Sequence, residues 1–200
     1  MLGKADEVGS KLADQYEFLS IVETGGMGVV YKARHLALNQ IVAIKMIQTG
    51  QIDEKHIERF RREAKALAEL DHFNIIQVKD FGLTETGLPY MVLDFVEGMS
   101  LSELIKQQGV LKFETVINIF AQCADALSHA HEHGVLHRDL KPSNIMIKEI
   151  PGQKPIVKII DFGIAKLLNS DSDGALTPLP SLHSLPRCFR NLNRSTAYTW

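Results

Sequence analysis

The sequence predicts an α+β fold with a strand-rich first half and a mostly helical second half. Three patterns carry this reading. Apolar and polar residues alternate in strand fashion between Tyr16 and Ile47, the period becomes helical over residues 53–70, and the longest helical pattern runs over 113–133. The chain can bury a core: it has 200 residues and is 45% apolar. Its 22 Lys+Arg against 24 Asp+Glu leave a net charge of −2, which excludes a broadly basic nucleic-acid binder.

Residues 1–13 are polar and punctuated by glycine, and read as a flexible leader. Val29, Tyr31 and Ala33 then alternate with Val30 and Lys32, and the run 41–47 (IVAIKMI) is rich in β-formers. In 53–70, Ile57, Phe60, Ala64, Leu67 and Ala68 fall on one helical face with charges around the rest. Strands are expected at 75–82 and 88–95, joined by a turn at Glu85-Thr86-Gly87. Ser100-Leu101-Ser102-Glu103 has the spacing of a capping box and opens a short helix to about Gln108. In the pattern 113–133, Phe113, Val116, Ile117, Phe120, Ala124, Leu127 and Ala130 are the apolar positions. Short strands at 145–147 and 156–160 flank Pro151-Gly152, and beyond Leu168 neither period is present.

Cys123 and Cys188 form neither a disulfide framework nor a zinc pair, and Cys123, among Phe120, Ala124 and Leu127, reads as a small buried residue. No apolar run is long enough to span a membrane and no signal core opens the chain, so a cytoplasmic protein is expected.

Four groups of residues point to chemistry. Thr24-Gly25-Gly26-Met27-Gly28 lies between two strands. Its glycines let backbone N–H groups approach a phosphate, although the same residues also make a plain hairpin turn. Lys45, in Val42-Ala43-Ile44-Lys45, projects from an apolar strand. It reads equally as an edge lysine or as a ligand-binding cation. Glu63 is either its ion-pair partner or a helix-surface residue paired with Arg59. His137-Arg138-Asp139-Leu140-Lys141-Pro142-Ser143-Asn144 is more specific, because one loop carries a carboxylate base, a phosphate-neutralising ammonium and an amide ligand. Asp161-Phe162-Gly163 ends a strand with a carboxylate suited to Mg²⁺. His129, His131 and His133 alternate along a helix and so are not expected to converge on a metal.

In this order, GGMGVVYKA, VAIK, the helix glutamate, HRDLKPSN and DFG resemble the eukaryotic-type serine/threonine protein kinases, in their bacterial form, from about Tyr16 to Leu168. The resemblance implies a kinase-like fold: a complete strand-rich small lobe with one regulatory helix over 14–97, and an incomplete helical large lobe with the catalytic loop over 98–168. It implies that Gly25, Gly26 and Gly28 cover the ATP phosphates, and that Val22, Val30, Ala43 and Met146 enclose the adenine. Leu93 would stand as gatekeeper before the hinge from Asp94 to Val96. Lys45 would hold the α/β-phosphates and be positioned by Glu63. Asp139 would take the proton of the substrate hydroxyl, Lys141 would neutralise the moving phosphoryl group, and Asn144 and Asp161 would bind Mg²⁺, with Mn²⁺ as a substitute. Leu67, His137 and Phe162 would stack between the lobes.

The sequence departs from this pattern in three places. Glu23 stands where the first glycine of the phosphate loop is expected, which predicts weakened ATP affinity. His72-Phe73-Asn74 replaces the usual His-Pro-Asn. After Lys166 no segment leading to Ala-Pro-Glu is recognisable. The expectation is therefore a truncated chain with a disordered tail over 169–200 and an uncovered apolar face on helix 113–133, able to associate with another surface. Beside a kinase phosphorylating Ser/Thr of an unidentified protein substrate stand two other readings: a catalytically impaired nucleotide-binding or interaction module, and a kinase fragment.

Overall fold

The computed structural model describes residues 9–25, 28–47 and 54–163. Strands β1 (Lys11–Leu12), β2 (Tyr16–Gly25), β3 (Gly28–His35) and β4 (Gln40–Ile47) precede helix α1 (Glu54–Ala68), and β5 (Val78–Leu83) and β6 (Pro89–Asp94) follow it. These strands form one antiparallel sheet in the order β1-β2-β3-β4-β6-β5. The second half holds β7 (Met99–Ser100), α2 (Leu101–Gln108), α3 (Phe113–Glu132), a 3₁₀ turn (Pro142–Asn144), β8 (Ile145–Lys148) and β9 (Ile156–Ile159). Strands β7, β8 and β9 make a small second sheet.

Alternation in β3 and β4 sends Tyr31, Ala33, Val42, Ile44 and Met46 into a core with Phe18 and Val92. A second core joins the two halves. It runs from Ile47, Phe60, Ala64 and Leu67 through Val78 and Met91 to Ile119, Cys123, Ala126, Ile147 and Phe162. Cys123 is 6% exposed, and burial raises its thiol pKa, as expected of a small apolar core residue.

Some elements differ from the sequence expectation. Lys11 and Leu12, placed in the leader, pair with β2, and Leu12 is buried in the core. Strand β5 starts at Val78 because Ile75 and Ile76 serve β9 instead. Ile75 bridges Ile159 in parallel, and the Ile76 N–H donates to the Ile159 carbonyl at 3.0 Å. The capping box forms: Ser100 Oγ accepts from the Glu103 N–H at 3.2 Å, and the Ser100 N–H donates to Glu103 Oε2 at 2.7 Å. Gly98 just before it has φ 148°, and a Cβ there would lie 2.3 Å from the Ile147 carbonyl oxygen, which explains the glycine.

Helix α3 packs through Ile119, Cys123, Ala126 and Ala130. Phe113, Ile117 and Phe120 on another side are 80%, 52% and 67% exposed, as the reading of an uncovered face predicts among the described residues. The expectations for residues 1–8 and for the tail 169–200 lie outside the described residues.

Candidate functional site

The two halves meet at a polar clamp. The Asn74 amide donates to Gln122 Oε1 and to the Val157 carbonyl, both at 2.8 Å. Gln122 Oε1 also accepts from the Val157 N–H at 3.0 Å, and its amide donates to Asn118 Oδ1 and the Pro155 carbonyl. The Ile159 N–H donates to the Asn74 carbonyl at 2.7 Å. The segment following α1 is thereby fixed to α3 and to β9, the strand that leads into Asp161. The tripeptide containing Asn74 drew attention in the sequence; nothing there singled out Gln122.

The loop from His137 to Asn144 is held by hydrogen bonds within itself and to Ile160. His137 is 4% exposed, and its Nε2–H donates to the Ile160 carbonyl at 3.0 Å while its Nδ1 accepts from the Asp139 N–H at 3.3 Å. Both nitrogens are thus used by the neutral ring, and burial is the main cause holding its pKa below the usual 6.5. The ring stacks against Phe162 with centroids 4.6 Å apart, and Leu67 lines a cavity of about 30 Å³ with Phe162, Lys45, Asp161, Met91 and Leu93. The His137–Phe162 contact is one part of the stacking expected of Leu67, His137 and Phe162.

A consequence for stability follows. The unfolded chain binds a proton at this histidine near pH 6.5, the folded chain only at lower pH, so the contribution of His137 is intact above 6.5 and is lost as pH falls below it. The slope is at most about 1.4 kcal/mol per pH unit for one proton. An NMR titration of the ring is expected to give a midpoint below 6.5; a midpoint above it would contradict the buried neutral state.

The Asn144 side chain is buried and donates to the Asp139 carbonyl at 2.8 Å, leaving its amide oxygen as the acceptor. Lys141 Nζ lies 2.9 Å from Asp139 Oδ2. That hydrogen bond raises the Lys141 pKa, with the charges of Asp139, Asp161 and Glu23 acting the same way against a lowering by burial. Asp161 and Arg138 hold positive φ, 59° and 58°, bracketing the site with left-handed backbone.

Lys45 does not meet Glu63. Its ammonium pairs with Asp161 Oδ1, and Glu63 Oε1 instead lies 3.9 Å from Arg62. The expected Lys45–Glu63 pair is therefore corrected. The strand residue and the carboxylate after β9 share a mainly apolar cavity, where each is the other's charge partner, while Glu63 has a guanidinium beside it on its own helix.

Val30 and Ala43 sit half-buried on β3 and β4, Met146 half-buried on β8, and Asp94 and Val96 at and after the end of β6. The Asp94 N–H already donates to the Gln77 carbonyl at 3.1 Å. Val22 is 54% exposed and falls in a register shift between Ile21 and Glu23. Gly25 pairs with Gly28 at the hairpin tip; Gly26 lies outside the described residues.

His129 and His133, four apart, do share a face. Their rings lie 4.3 Å apart, and His72 stacks on His129 at 5.2 Å. The alternate spacing separates His131 from this pair but not these two from each other. Among the described residues no group of three or more His, Cys, Asp or Glu is arranged to hold a metal ion.

A strand-rich half with a glycine hairpin, a lysine on its third long strand, and a carboxylate–ammonium–amide loop near a second carboxylate line one cleft. The protein kinase domain family matches residues 16–183, and the chain belongs to that family. The match continues past residue 168, where the motifs legible in the sequence end. The serine/threonine-protein kinase pkn3 of Myxococcus xanthus is 42% identical over 172 residues, 85% of this chain and 31% of that protein. PrkC of Bacillus subtilis, a serine/threonine-protein kinase, is 39% identical over 164 residues, 82% of this chain and 24% of that protein. The chain thus spans about a quarter to a third of the length of these curated relatives. The crystal structure of the Mycobacterium tuberculosis PknI kinase domain superposes with a TM-score of 0.68 at 28% identity, covering 79% of this chain and 63% of that one. The family in general uses ATP and a divalent cation.

Proposed function

We propose that this chain carries the nucleotide-binding and phosphoryl-transfer centre of a serine/threonine protein kinase that uses ATP with Mg²⁺. The observation that supports this best is the meeting of Lys45 and Asp161 from opposite halves of the molecule, next to the Asp139–Lys141 pair. Asn144 and Asp161 offer an amide oxygen and a carboxylate. These hard donors suit Mg²⁺, which keeps waters and phosphate oxygens in its shell, and Mn²⁺ accepts the same set. The cation, when bound, neutralises charge on the phosphate oxygens.

The residues of the chain divide the remaining work. Gly25, Gly26 and Gly28 bring backbone N–H groups over the phosphates. Val22, Val30, Ala43 and Met146 form apolar walls for the adenine, whose edge meets the backbone from Asp94 to Val96. Lys45 exchanges Asp161 for the phosphates. Asp139 orients the substrate hydroxyl and accepts its proton, and Lys141 follows the transferred charge.

No helix among the described residues is long and apolar enough to cross a membrane. ATP dependence and the unpaired Cys123 fit a cytoplasmic setting. The β6–β7 connection supports a lobe boundary between residues 97 and 98, and the exposed Phe113, Ile117 and Phe120 support a surface for association.

Incubation with γ-labelled ATP, Mg²⁺ and a generic basic protein is expected to label Ser or Thr, and a chelator is expected to stop it. Absence of labelling overturns phosphoryl transfer by this chain. A nucleotide-dependent rise in Tm without labelling would instead support the binding-module reading.

A further inference from the structure

The ladder of the small-lobe sheet shows which way Glu23 faces. Directly opposed residues of antiparallel strands carry their side chains on the same face. Glu23 opposes Val30, Val30 opposes Lys45, and Lys45 opposes Met91. Glu23 and Lys45 therefore lie in one cross-strand row on the cleft face. The register shift after Ile21 brings this about: the extra residue puts Glu23, rather than Val22, opposite Val30. A second observation agrees. The charge of Glu23 acts on the ammonium of Lys141 in the catalytic loop, across the cleft from the hairpin.

Charges around the phosphate position are then unbalanced. Lys45 and Lys141 supply two ammonium groups, against the carboxylates of Asp139, Asp161 and Glu23. Asp139 and Asp161 each have a part in the proposed reaction; Glu23 has none. We propose that Glu23 is a specificity-determining residue that makes the cleft discriminate by phosphate charge, rejecting polyphosphates whose charge is not neutralised by a divalent cation. This rests on reading the cleft as a nucleotide site. A carboxylate facing the phosphates repels them in proportion to their charge, is indifferent to the nucleoside, and loses its effect when a cation or salt screens the phosphates.

Calorimetric affinities for adenosine, ADP and ATP, in chelator and again in Mg²⁺, test this on the whole chain as wild type, Glu23→Gln and Glu23→Lys. In chelator, Glu23→Gln is expected to tighten ATP about tenfold and ADP by less, with Glu23→Lys stronger still and adenosine unchanged. Mg²⁺ or added salt is expected to shrink the gain. An equal gain for all three ligands, or none for ATP, overturns the role of Glu23 and leaves the nucleotide site standing. No binding of any ligand to any of the proteins, with or without Mg²⁺, overturns the site itself. Thermal unfolding without ligand confirms that the variants fold. Should Glu23→Lys fail to fold, Glu23→Gln carries the test, with Glu23→Asp expected to keep the discrimination of the wild type.

Discussion

Asp139→Asn is expected to slow phosphoryl transfer by about 10³-fold and to leave ATP affinity within about twofold, because general-base assistance is worth roughly 10²–10⁴. The substitution keeps the shape of the side chain and the main-chain carbonyl that the Asn144 amide holds at 2.8 Å. It removes the proton-accepting carboxylate and the charge paired with Lys141 at 2.9 Å. Rates of label transfer and calorimetric ATP affinity separate the two effects. Equal transfer by wild type and variant would remove Asp139 from the reaction, and a matched loss of ATP binding would make it a structural residue.

The second large effect is expected at the clamp between the halves. Asn74→Ala removes the donor to Gln122 Oε1 and the Val157 carbonyl in a site where Asn74 is only 6% exposed. Gln122 Oε1 keeps the Val157 N–H, while the buried Val157 carbonyl loses this donor, at a cost of about 1–3 kcal/mol. A loss of about that size is expected in urea unfolding, a sizeable part of the stability of an ordinary domain. Since the same segment fixes β9 ahead of Asp161, transfer should fall even under conditions where the variant is folded. A shift in urea midpoint below the equivalent of about 1 kcal/mol would mean that water replaces the amide at little cost.

Much of this molecule is legible before any coordinates. The alternation in β3 and β4 and the heptad-like spacing of Phe60, Ala64 and Leu67 place core residues correctly, because strand and helix periods are local properties of the chain. The box at Ser100 and Glu103 is equally local and forms as expected. Boundaries are less legible where a residue has two suitors. Ile75 and Ile76 look like the start of β5, yet their backbone is taken by Ile159, over eighty positions away in sequence. Local pattern does not reveal a competitor at that separation.

The same division runs through the site. Lys45, Asp139, Lys141, Asn144 and Asp161 stand out in the sequence because they fall in short, ordered motifs whose donor and acceptor types suit the proposed phosphate transfer. Glu23 is readable as a departure from the glycine pattern; its orientation is not, since a single extra residue in β2 decides which side chain joins the row of Val30 and Lys45. Gln122 had no signal at all, being one polar residue on a long helix until Asn74 and Val157 converge on it.

By itself the sequence determined the α+β class, the family resemblance and the candidates for the reactive groups, all of which depend on residue type and short-range spacing. Only the tertiary structure decided the partners. It gave Lys45 to Asp161 rather than to Glu63, brought His129 and His133 together while leaving His131 apart, and turned Glu23 toward the cleft. The physical reason is that a charge or a ring settles with the nearest complementary group in three dimensions. Which group is nearest depends on strand register and on how the two halves are packed, and neither is encoded in the spacing of the motifs.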